Sequence, residues 1–356
     1  MTILGANTYR EIMSQPDVWA EALEIFRSQA GALSKFWEAN PVDELIFTGC
    51  GSTHYLSNTA AAVFQKETGI PARFYPASEL VLFPENIYLK GKTSMLVAVS
   101  RSGETSETIE ALSIFRQRTG GKILSINCDS SSSLAKASDF SLAVDAAQEV
   151  SIAQTRSFAS MLVVAQAFAG HIGKADSAKL DNLPSTVQRL LSDYEAIAKG
   201  LGEDKDINRF FFLGSGLLNG IANEAMLKMK EMSLSYSEAF HMLEFRHGPM
   251  SMVNANSLVI GLLSENALPH EIAVLKDMKK LGAKILAISE KDISGIFNPD
   301  MSVLLNTGAP VWMQPAAYLP VLQLLAYYRS LSNGLDPDKP NNLDAVVKLS
   351  PMVSKG

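Results

Sequence analysis

Cysteine is scarce in this chain. Cys50 and Cys128 are the only two in 356 residues, too few for a disulfide framework and suited to a reducing compartment. The five histidines, at 54, 171, 241, 247 and 270, show neither HxxxH nor any His/Cys ligand spacing. A zinc centre is therefore not expected, nor any other metal or organic cofactor. No apolar run reaches the ~18 residues that a membrane span requires. Met1-Thr2-Ile3-Leu4-Gly5 lacks a basic region ahead of an apolar core, so no signal peptide is expected and a cytoplasmic location is. Positive charge is also short: 31 Lys and Arg against 37 Asp and Glu give a net charge of −6. That balance argues against nucleic acid or an anionic membrane surface as partner.

What is present is an ordinary globular α/β composition, 47% hydrophobic and 19% charged. Its length predicts about two domains. An internal repeat supports this. Glu44–Gly51 and Arg209–Gly216 are apolar strands that each run into Gly-x-Gly and then a helix. The strand Ser94–Ser100 is matched by Ser257–Ser264, and Lys122–Ile126 by Lys284–Ile288. The offsets are 165 from Gly51 to Gly216, 164 from Ser100 to Ser264 and 162 from Lys122 to Lys284. So steady a separation predicts duplication of one α/β unit. Strands alternating with helices, without hairpin signals, predict two tandem doubly wound parallel-sheet domains of flavodoxin-like type. The expected division is a helical segment over 1–40, a first domain over 41–190, a second over 191–330 and a tail over 331–356 that closes the site.

The turn Ser100-Arg101-Ser102-Gly103-Glu104-Thr105-Ser106-Glu107 joins a buried strand to a helix. Backbone N–H groups and hydroxyls converge there on the positive end of a helix dipole, a means of holding phosphate without a metal. Neither Gly-Lys-Ser/Thr nor GxGxxG is present in it, so a phosphorylated small molecule is expected rather than a nucleotide. A capping box with Ser102 or Thr105 as N-cap would share part of this pattern, but it does not need so many hydroxyls. The matching turn Ser264–Glu271 has lost the glycine and two hydroxyls and gained Glu265, which would repel an anion.

In the second copy Glu224, Lys228 and Glu231 are spaced four and three, on one face of a predicted helix Ile221–Met232. A solvated salt-bridge ladder would have the same spacing. His247 precedes Gly248-Pro249 on a loop, where turn chemistry places it. His241 reads as a structural residue at a helix end, and Cys50 as a small buried packing residue.

Together these motifs resemble the sugar isomerase (SIS) domain family over nearly the whole chain. Within it the resemblance is to the double-SIS isomerase half of glucosamine-6-phosphate synthase and to stand-alone amino-sugar phosphate deaminases and deglycases. It rests on Gly49-Cys50-Gly51-Ser52-Thr53, the Ser100–Thr108 turn, Glu149–Phe158, Glu224–Glu231 and His247-Gly248-Pro249. It implies a hexose 6-phosphate held by Ser52, Thr53, Ser100, Ser102 and Thr105, with Arg101 and Gln154 also at the sugar. It further implies Glu231 as the base that moves a proton between the first two sugar carbons, Lys228 beside it, and His247 assisting ring opening. In the synthases that histidine comes from the neighbouring subunit of a dimer, so a homodimer is expected. Two departures stand out. No nucleophilic cysteine follows Met1, which leads us to expect no glutamine hydrolysis, and Ala345 stands where the synthases have a sugar-binding lysine. Lys339 and Lys348 are the candidates to replace it, though both read equally as solvated tail charges. The expected activity is a phosphosugar isomerase coupled to amine loss or gain. An Amadori-type fructosamine-6-phosphate deglycase and a non-catalytic sugar-phosphate sensor are the alternatives.

Overall fold

A computed structural model describes residues 4–346, so Lys348 lies outside the described residues. The strands are β1 (Glu44–Gly49), β2 (Ala72–Pro76), β3 (Ser94–Ser100), β4 (Ile123–Asn127) and β5 (Phe140–Ala143), then β6 (Arg209–Gly214), β7 (Tyr236–Phe240), β8 (Ser257–Leu262), β9 (Lys284–Ser289) and β10 (Met301–Leu304). The helices are α1 (Ala6–Met13), α2 (Gln15–Ala39), α3 (Ser52–Thr68), α4 (Ala77–Leu82), α5 (Ser106–Thr119), α6 (Ser133–Ala137) and α7 (Arg156–Ile172) in the first half. They continue with α8 (Leu183–Glu203), α9 (Asn219–Ser233), α10 (Leu268–Lys280) and α11 (Leu319–Ser332).

Two five-stranded sheets form, ordered β2-β1-β3-β4-β5 and β10-β9-β8-β6-β7. The second, read backwards, repeats the first strand for strand, and every pairing is parallel. Duplication and the doubly wound order are thus both present, with the reversal of strand order between β1 and β3 and between β6 and β8. β1, β3, β4 and β8 are buried along their whole length, because helices cover both faces of a parallel sheet.

The chain divides into two compact units. One holds Asp17–Glu149 and Arg156–Asp181 with 344–346, the other 4–16, Val150–Thr155 and Asn182–Leu343. These units interleave along the sequence. Asp338 shows what ties the second unit together. Its carboxylate accepts the N–H groups of Asn7 (3.1 Å) and Thr8 (2.7 Å), the Thr8 hydroxyl (2.7 Å) and the Ser151 hydroxyl (3.3 Å). Gln15 continues the seam by donating to Gln323, which in turn donates to the carbonyl of Thr155. Among the described residues no helix is long and apolar enough to cross a membrane.

Candidate active site

The turn after β3 is shaped by its own side chains. Ser100 Oγ accepts the N–H of Gly103 at 3.1 Å and lies 3.5 Å from Thr105 Oγ1, while Ser102 Oγ accepts the N–H of Glu104 at 3.2 Å. Gly103 sits at φ +64, where a Cβ would come within 2.2 Å of Ser132 Oγ, so only glycine fits. Thr105 is the N-cap of α5, yet its side chain makes no capping hydrogen bond. The capping-box reading therefore does not account for its hydroxyl. Glu104, the acid inside the turn, is drawn aside by the N–H (2.7 Å) and hydroxyl (2.9 Å) of Ser133.

A cleft of about 270 Å³ opens beside this turn, bordered by Arg101, Ser102, Glu104, Asp129, Glu149 and Ala345. Small-molecule sites start at roughly 300 Å³, so it is of a size for a compact ligand. Arg101 is engaged with protein groups: Glu149 lies 3.9 Å from its guanidinium, which also donates to the carbonyl of Ala345 at 3.2 Å. Glu149 also accepts the N–H of Arg156 at 2.8 Å.

The glycine turn after β1 is closed by Thr53, whose Oγ1 gives its proton to the carbonyl of Cys50 (3.0 Å) and accepts the N–H of Cys50 (2.9 Å). A Cβ on Gly49 would lie 2.5 Å from that same oxygen. Ser52 is buried at the first position of α3. Cys50 is half-buried rather than buried, 3.6 Å from Thr108 Oγ1, and burial pushes its thiol up to about 11. It is thus held as a thiol at neutral pH, no nucleophile.

In the second unit Glu224, Lys228 and Glu231 do line one face of α9, but not as a solvated ladder. Glu224 is 0% and Lys228 1% exposed. The Lys228 ammonium lies 3.4 Å from Glu224 Oε1 and forms a close ion pair with Glu231, which is the more open of the two carboxylates. Three charges are thus placed on a face that the sequence also allowed to be wet. Gln154 is half-buried, and its enclosed Oε1 has no hydrogen-bond partner among the described residues. His247 is exposed on a short turn, with Gly248 at φ +136 after it. His241 is exposed just beyond the end of β7, so the expected structural role in a helix end is not what the fold gives it.

The loop carrying these histidines packs its apolar residues Phe240, Met242 and Phe245 into the core of its own unit. Met242 and Phe245 are 0% exposed and pack with Phe211, Val259 and Ile272, with Phe240 against the same cluster. Ser215 Oγ accepts the N–H of Met242 at 2.9 Å, tying the loop to the glycine turn after β6. Leu243 alone of the four apolar residues is exposed.

The second copy of the Ser100 turn is the most instructive element. Ser264 Oγ accepts the N–H of Ala267 at 3.3 Å, the bond that Gly103 makes to Ser100 in the first copy. Here a carboxylate fills the turn: Glu271 Oε2 accepts the N–H of Ser264 (2.6 Å) and Oε1 its hydroxyl (3.0 Å). Burial raises the pKa of Glu271, and the two bonds from Ser264 oppose that rise. Glu265, the acid expected to repel an anion, instead pairs with Lys291 at 2.6 Å. Glu107, at the position corresponding to Glu271, has a buried Oε2 without a partner among the described residues. Glu149 and Glu271 are the residues to which sequence reasoning gave no role of their own. Only the seven-residue spacing from each turn serine to Glu107 and Glu271 could have signalled one of them. Among the described residues no group of three or more His, Cys, Asp or Glu is placed to hold a metal.

Comparison with known proteins bears on both units. Residues 40–170 and 205–332 match the SIS domain. Glutamine–fructose-6-phosphate aminotransferase [isomerizing] of Halobacterium salinarum is 29% identical over 318 residues, 85% of this chain and 51% of that protein. The enzyme of that name from Sulfurisphaera tokodaii is also 29% identical, over 95% of this chain and 56% of its own length. The chain thus spans about half the length of the curated relatives it matches. Among solved structures, glucosamine-6-phosphate deaminase from Thermotoga maritima is 27% identical with a TM-score of 0.81, covering 97% of this chain and all of that one. Tagatose-6-phosphate ketose/aldose isomerase from Escherichia coli, at 23% identity, has a TM-score of 0.87 with 98% of each chain covered, a likeness of fold.

Proposed function

The chain belongs to the SIS domain family, and from that premise we propose that it is a phosphosugar isomerase coupling isomerisation to loss or gain of an amine, with an amino-hexose 6-phosphate as substrate. The observation that carries this reading is the pair of duplicated turns. In one, an internal carboxylate takes the N–H and hydroxyl of Ser264; in the other, the N-cap threonine of the matching serine turn does not cap its helix, and Ser102 of that turn borders an open cleft. A turn that accepts an anion in one copy is suited to a phosphate in the other.

In this reading Ser100, Ser102 and Thr105 bind the phosphate and Arg101 borders the cleft by holding Glu149. Ser52 shapes the start of α3 behind it. His247 assists ring opening, as the family resemblance implies. Glu231 then takes the proton from C2 of the open-chain aldose amine and returns it to C1, while the amine nitrogen gives up a proton and O1 gains one. The resulting ketimine adds water and releases ammonia, leaving a ketose 6-phosphate. Lys228 holds the carboxylate of Glu231, and Gln154 offers its unpaired oxygen to the sugar. A positioned carboxylate base contributes about 10²–10⁴-fold. A deglycase acting on an amine-conjugated ketose 6-phosphate is a second reading, which the resemblance also allows.

The test is release of ammonia or amine from a panel of 6-phosphosugars by the wild type and by Glu231→Gln. Ammonia from an amino-hexose 6-phosphate, lost in the variant while binding persists, is the expected outcome. Release only from amine conjugates selects the deglycase. Binding without turnover by the wild type overturns the mechanism and leaves a sensor; full turnover in Glu231→Gln removes Glu231 as the base.

A further inference from the structure

We propose that Glu104 is a positioning residue: its carboxylate, gripped by Ser133, clamps the Ser100–Thr105 turn to the loop after β4 and so sets where the hydroxyls of the turn stand. The inference rests on the reading of that turn as the phosphate site. An acid beside a bound dianion is unfavourable, because like charges a few ångströms apart repel. Here both oxygens of Glu104 are taken by one residue: Oε1 accepts the N–H of Ser133 at 2.7 Å and Oε2 its hydroxyl at 2.9 Å. Two donors on one carboxylate draw its charge off the turn and make it a tether.

The loop that holds the tether is itself pinned. It carries four consecutive serines, Ser130–Ser133, a composition typical of flexible linkers. Each of the four has a separate partner instead. The N–H and hydroxyl of Ser130 both donate to Asp145 at 2.7 Å, and those of Ser131 to Asp129 at 2.8 and 2.7 Å. Ser132 Oγ accepts the N–H of Ala135 at 3.2 Å, which leaves Ser133 for Glu104. The same loop takes two carbonyls of the turn: Cys128 N–H donates to Arg101 at 3.2 Å and Leu134 N–H to Gly103 at 3.0 Å. A trans peptide sets N–H opposite C=O, so the N–H groups of Ser102 and Glu104 face away from the loop. In the second copy Leu268 stands where Glu104 does, 164 residues on, and packs against the core of its own unit. The clamp is thus present where the turn keeps its hydroxyls and absent where Glu271 fills it.

The experiment titrates the full chain calorimetrically with a hexitol 6-phosphate, which has no carbonyl to react, and with the hexitol itself. Glu104→Ala is expected to weaken the 6-phosphate about 10-fold, the effect of one charge-assisted bond put out of place. The weak binding of the hexitol and the melting temperature should stay as they were. Glu104→Gln should bind at least as tightly as the wild type, because its amide oxygen takes the N–H of Ser133 and its amide nitrogen donates to the hydroxyl oxygen. Ser133→Ala keeps the N–H bond, so it should lose less than Glu104→Ala and add nothing to it in the double variant. Tighter binding in both Glu104 variants would mean an acid that only repels phosphate, and equal losses in both a direct ligand of the sugar. Either result overturns the proposal. If Glu104→Ala does not fold, Ser133→Ala decides, and unchanged affinity there sinks the clamp. A wild type that holds the hexitol and its 6-phosphate alike removes the phosphate reading itself, and this proposal with it.

Discussion

Hydroxyl groups at the end of a buried strand are costly unless something accepts their protons. Ser100 is such a group, and its Oγ lies 3.5 Å from Thr105 Oγ1, at the N-cap position of a helix that Thr105 does not cap. Ser102 uses its oxygen as an acceptor for Glu104 N–H and keeps its proton for another partner. Replacing Ser102 and Thr105 by alanine is expected to weaken binding of a 6-phosphosugar by about 1.5–3 kcal/mol for each charge-assisted bond removed. Affinity for the unphosphorylated sugar should stay as it was. Titration calorimetry with the two ligands separates these effects, and equal losses for both would mean that the turn holds no phosphate. Much of this was legible at the residue scale, because serine, threonine and glycine at a strand end have few other reasons to gather. The bond that Thr53 makes was not legible. Its hydroxyl belongs to the same class, and only the fold reveals that it closes its own turn on Cys50.

At the scale of elements, the two copies of the β–turn–α unit make a controlled comparison. Both keep the serine Oγ bond to an N–H three residues on, and they differ in whether a carboxylate fills the turn. A sulfate soak is therefore expected to place an anion at Ser100–Thr105 and none at Ser264–Glu271. Truncating Glu271 to alanine should free Ser264 and let a second anion enter, which crystallography of the variant reads directly. An anion at the second turn of the wild type, with none at the first, would reverse the roles of the two copies. The inner strands were read closely from sequence: β3 and the start of β8 fall where the apolar runs put them, and α9 extends the expected helix by a residue or two at each end. The edge strands β2, β5, β7 and β10 were not. Ala72–Pro76 contains an arginine and a proline, and Tyr236–Phe240 contains a glutamate, so half-covered edges lack the continuous apolar signal.

For the whole molecule, duplication was readable from three constant offsets, and the strand order of both sheets follows from it. The interleaving of the units was not, because it depends on Asp338 and Gln323 reaching sequence neighbours 330 and 168 residues away. Oligomeric state depends on surfaces, and here we propose a homodimer in which His247 serves the partner's site. Burial of Met242 and Phe245 in their own core removes most of the loop's apolar surface from the case for subunit contact. What remains is the exposure of His247 and Leu243 on a turn that its own core holds rigid, a shape suited to being inserted elsewhere. The decisive experiment mixes two inactive variants, Glu231→Gln and His247→Ala, after reversible dissociation. If His247 acts in trans, each hybrid dimer contains one site with both residues intact and one with neither. Random reassociation of equal amounts makes half the dimers hybrids, so activity should climb towards about a quarter of the wild-type value. Hybrids confirmed by mass but without activity would place His247 in the site of its own chain, and a monomer in solution would exclude the shared site altogether.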